Sequence, residues 1–182
     1  MSDLWPVRDL PDNAADLPAR LADFDCGKET LNAFLQSTAV FNQQAGVSRT
    51  AYLHPPGDPD TVAGYYSLAL AVVDQQEIPN RVRRRLIQQS FQAVPLLARL
   101  AVDRRFARRG FGARLLIAAL AELLQVCDRA GSPVIAVQPI DEDAVAFYRK
   151  YGFVQLEGAK HMFLRTSTAR KLFEPGFRTG NA

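Results

Sequence analysis

Residues 94–131 restrict the possible folds of this chain more than any other stretch. An apolar run, Val94–Val102, is followed by a polar turn, Asp103–Arg109, and a long amphipathic segment begins at Gly110. Apolar residues in that segment recur at the spacing of one α-helical face; they are Leu116, Leu120, Leu123 and Cys127. The stretch therefore predicts a central strand, a glycine-bearing turn and a helix from about Gly110 to Ala130, which Gly131 would end.

The turn between this strand and this helix has the features of a phosphate site. The first backbone N–H groups of a helix have no intrahelical partner and lie at the positive end of its dipole. Gly110 and Gly112 would let an anion approach that backbone, and nearby arginines add positive charge. A purely structural strand–turn–helix explains the same residues equally well. The motif is not a P-loop, and Leu115 stands where a dinucleotide fingerprint needs a third glycine.

Length and composition indicate one globular domain over residues 1–182. Hydrophobic residues make up 48% of the chain and charged residues 23%, as is ordinary for a soluble protein. Every apolar stretch is shorter than the roughly 18 residues of a membrane-spanning helix, and the acidic N-terminus does not resemble an export signal. Cys26 and Cys127 match no metal spacing, and the chain has two histidines. We therefore expect a cytoplasmic protein with no metal and no membrane partner.

Arginines are concentrated in one part of the chain. Ten of the eighteen arginines lie between Arg81 and Arg114, where Asp103 is the one acidic residue. They form two groups, Arg81–Arg85 and Arg104–Arg109, apart from Arg99 and Arg114. Such a cluster favours polyanionic partners such as phosphates, coenzymes or nucleic acid, although a solvated surface explains it equally well.

The N-terminal half of the chain shows helix and strand patterns that lead up to the central strand. Asp25 is placed to cap a first helix that extends to about Phe41. At the start of the central strand, Pro95 is compatible only with a strand start or a sheet edge. The elements expected before Val94 are an irregular lead over residues 1–20 with a possible edge strand, this helix, an antiparallel hairpin of Arg49–His54 and Val62–Val73, and a polar, basic segment over residues 74–93.

After the central helix, Val134–Val137 fits a buried strand parallel to the central strand through a right-handed crossover. The elements that follow are a helix over Asp141–Lys150, a hairpin of Phe153–Leu156 and His161–Arg165, and a frayed tail over residues 174–182. The fold class is therefore α+β: a mixed, mostly antiparallel central sheet flanked by helices, with one parallel strand–helix–strand crossover.

Two runs of sequence resemble the GNAT acetyltransferase superfamily. They are L-A-R-L-A-V-D-R-R-F-A-R-R-G-F-G-A-R-L-L, which begins at Leu97, and A-V-A-F-Y-R-K-Y-G-F, which begins at Ala144. In that family a strand is followed by a loop of the form Arg/Gln-x-x-Gly-x-Gly/Ala. Here Ala107 takes the first position of the loop, with Arg108 and Arg109 beside it. The resemblance covers roughly residues 24–165 and implies the GNAT fold.

Three motifs together resemble the GNAT toxins of bacterial toxin–antitoxin pairs. They are F-D-C-G-K-E-T-L-N-A-F-L from Phe24, A-G-Y-Y-S-L from Ala63, and L-A-R-L-A-V-D from Leu97. Those toxins acetylate the α-amino group of the amino acid on charged tRNA, which blocks translation, and a ribbon-helix-helix antitoxin neutralises them. The resemblance therefore implies aminoacyl-tRNA as substrate, such an antitoxin as protein partner, and a homodimer.

The family resemblance also implies acetyl-coenzyme A as co-substrate, with no metal. The residues that would bind its pyrophosphate are Arg108, Arg109, Gly110, Phe111, Gly112 and Ala113. Its pantetheine arm would run along the strand edge of Leu100, Ala101 and Val102. A backbone N–H of Ala101 or Val102 would polarise the thioester carbonyl. Direct attack by the substrate amine needs no covalent enzyme intermediate, so neither cysteine has an assigned role.

Tyr148 matches the tyrosine with which GNAT enzymes protonate the leaving thiolate. Without the resemblance, an aromatic residue beside Phe147 on an apolar helix face would more simply be part of the core. Tyr65 and Tyr66 either line the acceptor side or pack in the core. The general base stays unassigned.

A tRNA acceptor stem needs a basic surface near the acetyl group. The candidate tRNA-binding residues are Arg81, Arg83, Arg84 and Arg85. Two other functions stay open at this point. A GNAT enzyme that acetylates a small amine, an antibiotic or a protein N-terminus would have an acidic rather than a basic acceptor pocket. A catalytically silent interaction module would keep the fold but would not bind acetyl-coenzyme A.

Overall fold

The computed structural model describes residues 5–84, 86 and 90–174. The chain folds into two compact units, Met1–Ala69 with Ala98–Ala119 and Leu70–Leu97 with Leu120–Ala182. The first unit contains the N-terminal helices, most of the first hairpin and the turn after the central strand. The second unit contains the C-terminal helices and the final hairpin. Apart from Glu174, the expected tail over residues 174–182 lies outside the described residues.

The described residues contribute seven strands to one sheet. These are β1 (Val7–Asp9), β2 (Arg49–Leu53), β3 (Gly64–Asp74), β4 (Phe91–Val102), β5 (Val134–Val137), β6 (Val154–Gln155) and β7 (Met162–Arg165). Their order is β1-β2-β3-β4-β5-β7-β6. β4 and β5 pair in parallel, whereas β1 with β2, β2 with β3, β5 with β7 and β6 with β7 are antiparallel. The predicted mixed sheet, its edge strand and both hairpins are confirmed.

Six α-helices are found in the described residues. They are α1 (Glu29–Ala33), α2 (Ala39–Gln44), α3 (Asn80–Arg83), α4 (Phe111–Ala130), α5 (Glu142–Arg149) and α6 (Thr166–Lys171), with a π-helical segment, Phe34–Thr38, between α1 and α2. The predicted apolar face of α4 is buried, because its four residues are at most 4% exposed. Gly131 ends α4 at a φ of 79°, and its N–H donates to the Cys127 carbonyl at 2.8 Å.

Aromatic packing forms the core of the first unit. The buried residues of this core include Leu10, Leu21, Phe24, Phe34, Leu35, Tyr52, Val62, Tyr65 and Ala101. Phe24 meets Tyr65 edge-on with ring centres 5.5 Å apart, and Phe34 stacks on Tyr65 at 6.1 Å. The Tyr65 hydroxyl donates to the Leu31 carbonyl at 2.8 Å. Tyr65 therefore packs in the core and ties the start of the first helix to β3, the second of the two roles that the sequence left open.

Mostly aliphatic residues form the core of the second unit. Its buried members are Val73, Ile78, Val82, Val94, Val134, Ala136 and Phe163. Val82 is 4% exposed and holds the short helix α3 against this core. Among the described residues, no helix is long and apolar enough to cross a membrane.

The predicted helix cap at Asp25 is wrong. The helix begins at Glu29, after Lys28, whose side chain makes no capping hydrogen bond. The Asp25 carboxylate instead accepts hydrogen bonds from the Gly27 N–H and from the Asn32 side-chain amide, both at 2.8 Å. An aspartate commonly closes a tight turn in this way by bonding the N–H two residues on. The carboxylate is therefore used by the turn that precedes the helix.

Strand β4 begins at Phe91, three residues before the predicted start at Val94, which places Pro95 inside the strand. Parallel pairing with β5 starts at Leu96, directly after the proline. The missing N–H of Pro95 therefore removes no hydrogen bond from that pairing. Helix α6 has no signal in the sequence, because T-S-T-A-R-K contains a single buried apolar residue, Ala169.

Candidate active site

The turn after β4 presents a row of unpaired backbone N–H groups. The Asp103 side chain caps a 3-10 turn, Arg104–Phe106, and α4 then starts at Phe111. The first hydrogen bond of α4 runs from the Arg114 N–H to the Gly110 carbonyl at 3.1 Å. Among the described residues, none accepts a hydrogen bond from the backbone N–H groups of residues 108–113. The residues predicted to bind pyrophosphate thus lie together at the positive end of a 20-residue helix.

Arg108 has a strained backbone within this turn. Its φ of 60° is the one positive φ at a non-glycine residue in the described chain, and Gly110 follows with a φ of 80°. A left-handed conformation costs a residue with a side chain about 1–2 kcal/mol. Left-handed residues in a turn also aim successive N–H groups at one point, which forms a concave anion site. The strain is therefore consistent with a turn shaped to bind an anion.

Trp5 covers the side of this turn with an aromatic cluster. The Trp5 ring lies 4.4 Å from the Phe111 ring and 5.3 Å from the Phe106 ring, centre to centre. The guanidinium carbon of Arg109 lies 5.4 Å from the ring centres of both Trp5 and Phe111. Such contacts between a cation and aromatic faces restrict the arginine side chain. The cluster therefore holds Arg109 beside the unpaired N–H groups.

The predicted pantetheine edge is the last part of β4. Ala101 is buried, and Leu100 and Val102 are half-buried. In the described residues, the parallel pairing with β5 covers Leu96 and Leu97 only. Leu100, Ala101 and Val102 therefore extend beyond that pairing, which is what an added extended ligand would require.

Gly64 lets β3 approach this end of β4 closely. A Cβ atom at Gly64 would lie 2.8 Å from the Ala101 carbonyl oxygen and 2.7 Å from the Cδ1 atom of Leu115. Both distances are shorter than van der Waals contact allows, so no side chain fits at this position. The glycine of the A-G-Y-Y-S-L motif thus has a steric role at the end of β4.

A buried aspartate joins the turn after β4, residues 103–110, to the D-C-G loop, residues 25–27. We call this turn the coenzyme turn, after its predicted role. The Asp103 side chain is 1% exposed and accepts hydrogen bonds from the Asp25 N–H at 3.0 Å and from the Arg105 guanidinium at 2.8 and 2.9 Å. Burial acts to raise the pKa of Asp103, but the hydrogen bonds from Arg105 and Asp25 outweigh it and hold the pKa below its ordinary value. Asp103 is therefore an ionised anchor at neutral pH.

The D-C-G loop is itself closed by Asn32. Its side-chain oxygen accepts from the Cys26 N–H at 2.9 Å, and its amide nitrogen donates to Asp25. The hydrogen bond from Asn32, followed by that from the Gly27 N–H, lowers the pKa of Asp25. Burial raises the pKa of the Cys26 thiol, so the thiol is protonated at neutral pH. The three toxin-type motifs, around Asp25, Gly64 and Asp103, are therefore parts of one hydrogen-bonded structure in the first unit.

Tyr148 lies in the second unit, in the last turn of α5. Its ring packs against Phe147 at 5.2 Å and Phe153 at 5.4 Å, and the side chain is 6% exposed. Burial raises the pKa of the hydroxyl well above its ordinary value, so the group is protonated at neutral pH. Its hydroxyl has no hydrogen-bond partner among the described residues. Tyr148 is thus a core residue whose hydroxyl makes no hydrogen bond to the described part of the protein.

The predicted tRNA-binding arginines do not all face the same surroundings. Arg81 and Arg84 line one cleft of the second unit, whereas the Arg83 guanidinium donates to the Asn80 side chain within α3. Arg85 lies outside the described residues. The cleft also includes Arg165, which the sequence analysis did not select. Only its position at the end of the last predicted strand could have drawn attention to it.

Trp5, Asn32 and Asp103 are further site residues that the sequence analysis did not select. Asn32 and Asp103 lie within two of the three toxin-type motifs, which was a signal for them. Trp5 is the single tryptophan of the chain, but its contact with Phe111 joins residues that are far apart in sequence. In the described part of the chain, no three His, Cys, Asp or Glu side chains are grouped as metal ligands.

Comparison with known families agrees with the fold and the turn. Residues 65–155 match the acetyltransferase (GNAT) domain family. The chain is also 33% identical over 162 residues to the tRNA-acetylating toxin of Mycobacterium tuberculosis, which covers 85% of this chain and 95% of that protein. The chain therefore belongs to the GNAT acetyltransferases.

Two solved structures of the AtaT toxin are similar over nearly the whole chain. AtaT complexed with acetyl-methionyl-tRNAfMet has a TM-score of 0.80 and 26% identity, over 93% of this chain and 99% of AtaT. A tyrosine-to-phenylalanine mutant of AtaT, bound to the C-terminus of the antitoxin AtaR and to acetyl-CoA, has a TM-score of 0.75 and 26% identity. That similarity covers 92% of this chain and 97% of the mutant.

Proposed function

We propose that this protein acetylates the α-amino group of aminoacyl-tRNA with acetyl-coenzyme A, as the toxin of a toxin–antitoxin pair. The observation that carries the proposal is the link from Asp103 to Asp25. It joins the turn with unpaired N–H groups to the D-C-G loop, and thus a coenzyme-type turn to the toxin-type motif. The 33% identity to a tRNA-acetylating toxin over most of both chains supports the same activity.

The residues of the first unit fit acetyl-coenzyme A. The unpaired N–H groups of residues 108–113 suit the oxygens of a pyrophosphate, and Arg108 and Arg109 add two positive charges. The end of β4 at Leu100–Val102 would hold the pantetheine arm. A backbone N–H of Ala101 or Val102 would donate to the carbonyl oxygen as negative charge develops there.

The reaction is direct transfer between a thioester and an amine. The amine nitrogen forms a bond to the carbonyl carbon and gives up one proton to solvent, the carbon–sulfur bond breaks, and the sulfur leaves as a thiolate that takes up a proton. We assign that proton to the Tyr148 hydroxyl, because it is protonated at neutral pH and has no partner within the described protein.

The basic cleft of the second unit supports a polyanionic acceptor rather than a small amine. Arg81 and Arg84 line it without a carboxylate partner in the described residues. We assign these two arginines to tRNA. Arg83 is a weaker candidate because its guanidinium is bonded to Asn80.

We further propose that the protein is a homodimer and binds a ribbon-helix-helix antitoxin. Leu70 and Val72 on β3 and Phe91 on β4 are 60–71% exposed, which leaves apolar surface on two adjacent strands. AtaT has been solved with the C-terminus of its antitoxin AtaR, which supports a protein inhibitor for this chain as well. Sedimentation of the wild type and of Leu70→Glu/Val72→Glu would test the dimer, which should dissociate in the variant.

Acetyl transfer into tRNA tests the proposed function directly. Wild type and Tyr148→Phe would be incubated with radiolabelled acetyl-coenzyme A and a pool of charged or deacylated tRNA. We expect label on charged tRNA alone, and a loss of label in the variant. No label on tRNA, with acetyl-coenzyme A still bound, would favour a GNAT enzyme that acetylates small amines or protein N-termini. Failure to bind acetyl-coenzyme A would identify a silent module.

A further inference from the structure

The second unit contains a cleft of about 480 Å³ whose walls come from two separate parts of the chain. One wall is α3, and the other is the junction of β7 with α6. The polar lining consists of Arg81, Arg84, Arg165, Thr166 and Ser167, with Pro133 between the walls. A neighbouring hollow of about 430 Å³ shares Arg81 and Arg165 and extends the same basic surface. Volumes of this size are typical of sites for small organic groups.

Both walls of the cleft are held in place by the protein. Arg81 lies on α3 and Arg84 directly follows it. Val82, which lies between them in sequence, is buried in the core of the second unit. The Thr166 N–H and hydroxyl both donate to the Pro133 carbonyl, at 3.0 and 3.3 Å, which fixes the β7–α6 junction. The guanidinium groups therefore project from anchored backbone, and little ordering of the main chain would accompany binding.

The positive charge of the cleft is not neutralised by the described protein. Arg81, Arg84 and Arg165 are without an ion-pair partner in the parts of the chain that the structure describes, and the lining contains no acidic residue. By contrast, Arg170 in the same unit pairs with Asp128. The Ser167 hydroxyl makes no hydrogen bond to the described residues and adds a neutral donor to the lining.

We propose that this cleft binds backbone phosphates of tRNA through Arg81, Arg84, Arg165 and Ser167; the inference rests on the proposed function for the identity of the nucleic acid. Guanidinium groups bind phosphate oxygens through paired N–H donors, and a hydroxyl can fill a remaining position of the tetrahedral group. Arg81 and Arg165 each line both hollows and stand on opposite walls of the cleft. Arg83, although adjacent in sequence, lies outside the set that lines either hollow.

The structure supplies a matched control for this proposal. Arg170→Ala removes the same charge from the same unit, but its guanidinium is paired with Asp128. This variant should bind tRNA nearly as the wild type does, whereas Arg165→Ala, Arg81→Ala and Arg84→Ala should bind about tenfold more weakly at low salt.

The experiment is a titration of deacylated tRNA with each variant over a range of salt concentrations. Each lost phosphate contact should reduce the slope of log affinity against log salt by about one. Arg165→Lys, which keeps the charge, should restore most of that slope. Equal affinity and slope for Arg165→Ala and the wild type would overturn the proposal. Binding of poly-glutamate without any binding of tRNA would also overturn it, and would assign the cleft to an acidic protein segment.

Acetylation assays separate the cleft from the proposed function. An aminoacyl-nucleoside has the α-amine but no stem phosphates, so Arg165→Ala should raise KM for charged tRNA and leave KM for this short acceptor unchanged. If wild type binds tRNA through the cleft but acetylates no charged tRNA, the proposed function fails and the cleft stands. If wild type acetylates charged tRNA and Arg165→Ala does so with the same KM, the cleft fails and the function stands.

Discussion

The buried carboxylate of Asp103 accepts a 3.0 Å hydrogen bond from the backbone N–H of Asp25, a residue 78 positions earlier in the chain. The reverse connection also exists, because the Arg104 N–H donates to the Asp25 carbonyl at 2.9 Å. The D-C-G loop is thereby fixed to the start of the coenzyme turn. A change at either residue should therefore affect both the stability of the first unit and coenzyme binding.

Replacing Asp103 by alanine should lower the free energy of unfolding by about 1–3 kcal/mol, because buried donors lose their acceptor. The folded-state pKa of Asp103 lies below 3.8, so its stabilising contribution is present above that pH and is lost as pH falls towards the folded-state pKa. Urea unfolding at several pH values measures the free energy of unfolding. The difference in this free energy between the variant and the wild type should become smaller below pH 3.8. Asp128→Ala, which removes an exposed ion pair, is the control and should change stability much less.

Gly64→Ala should destabilise the first unit through steric overlap. The added Cβ would lie 2.8 Å from the Ala101 carbonyl oxygen, which belongs to the backbone and cannot rotate away. Overpacking of this kind costs about 1–3 kcal/mol. Thermal unfolding measures the loss, and KM for acetyl-coenzyme A should rise because the end of β4 is displaced. Gly46 has a φ of 69° and nothing within 4 Å, so Gly46→Ala introduces backbone strain without steric overlap and serves as the comparison. An unchanged melting temperature in Gly64→Ala would contradict the steric role.

The sheet and the turn between β4 and α4 could be predicted from sequence because both depend on local patterns. The apolar face of α4 and the run Val134–Val137 repeat at fixed spacing, and such spacing determines which residues are buried. The cap at Asp25 could not be predicted correctly, because Asn32 and Gly27 compete for the same carboxylate. A local cap rule does not include that competition.

The connections that define the candidate site are long-range and were beyond sequence patterns. Asp103 could be placed after the central strand, but nothing in its neighbourhood shows that it bonds Asp25. Arg83 and Arg84 have the same sequence environment, yet one bonds Asn80 and the other lines the basic cleft. Side-chain direction on a short helix depends on which residue, here Val82, enters the core. Charge clusters therefore predict a surface but not its individual contacts.

Trp5→Ala should weaken coenzyme binding without changing the chemical step. Loss of the ring frees Arg109 beside the coenzyme turn, and one exposed cation–π contact corresponds to about a two- to fivefold change in affinity. KM for acetyl-coenzyme A should rise by that factor, with kcat unchanged. Trp5→Phe should remain close to wild type because it keeps an aromatic face. If Trp5→Ala lowered kcat and left KM unchanged, the positioning role would be wrong.

Tyr148→Phe should lower kcat about 10²- to 10⁴-fold while KM for acetyl-coenzyme A stays unchanged, as expected for loss of a general acid. Because burial raises the pKa of Tyr148 above its ordinary value of 10, the hydroxyl keeps its proton to at least that pH. Deprotonation of Tyr148 should therefore cause no decrease in the wild-type kcat below pH 10. Steady-state rates over pH measure both effects. A Tyr148→Phe variant with normal kcat would reduce Tyr148 to a core residue.

Arg108 allows backbone strain and charge to be separated at the coenzyme turn. Its left-handed φ of 60° costs a residue with a Cβ about 1–2 kcal/mol, a cost that glycine avoids. Arg108→Gly and Arg108→Ala lose the same charge, so both should raise KM for acetyl-coenzyme A.

Of these two variants, only Arg108→Ala keeps the backbone strain. Glycine gains more freedom in the unfolded chain, which offsets part of this difference. Thermal unfolding should therefore show Arg108→Gly to be the more stable of the two by about 1 kcal/mol. Equal stability of the two variants would show that the turn relaxes and that its left-handed residue is not imposed by the fold.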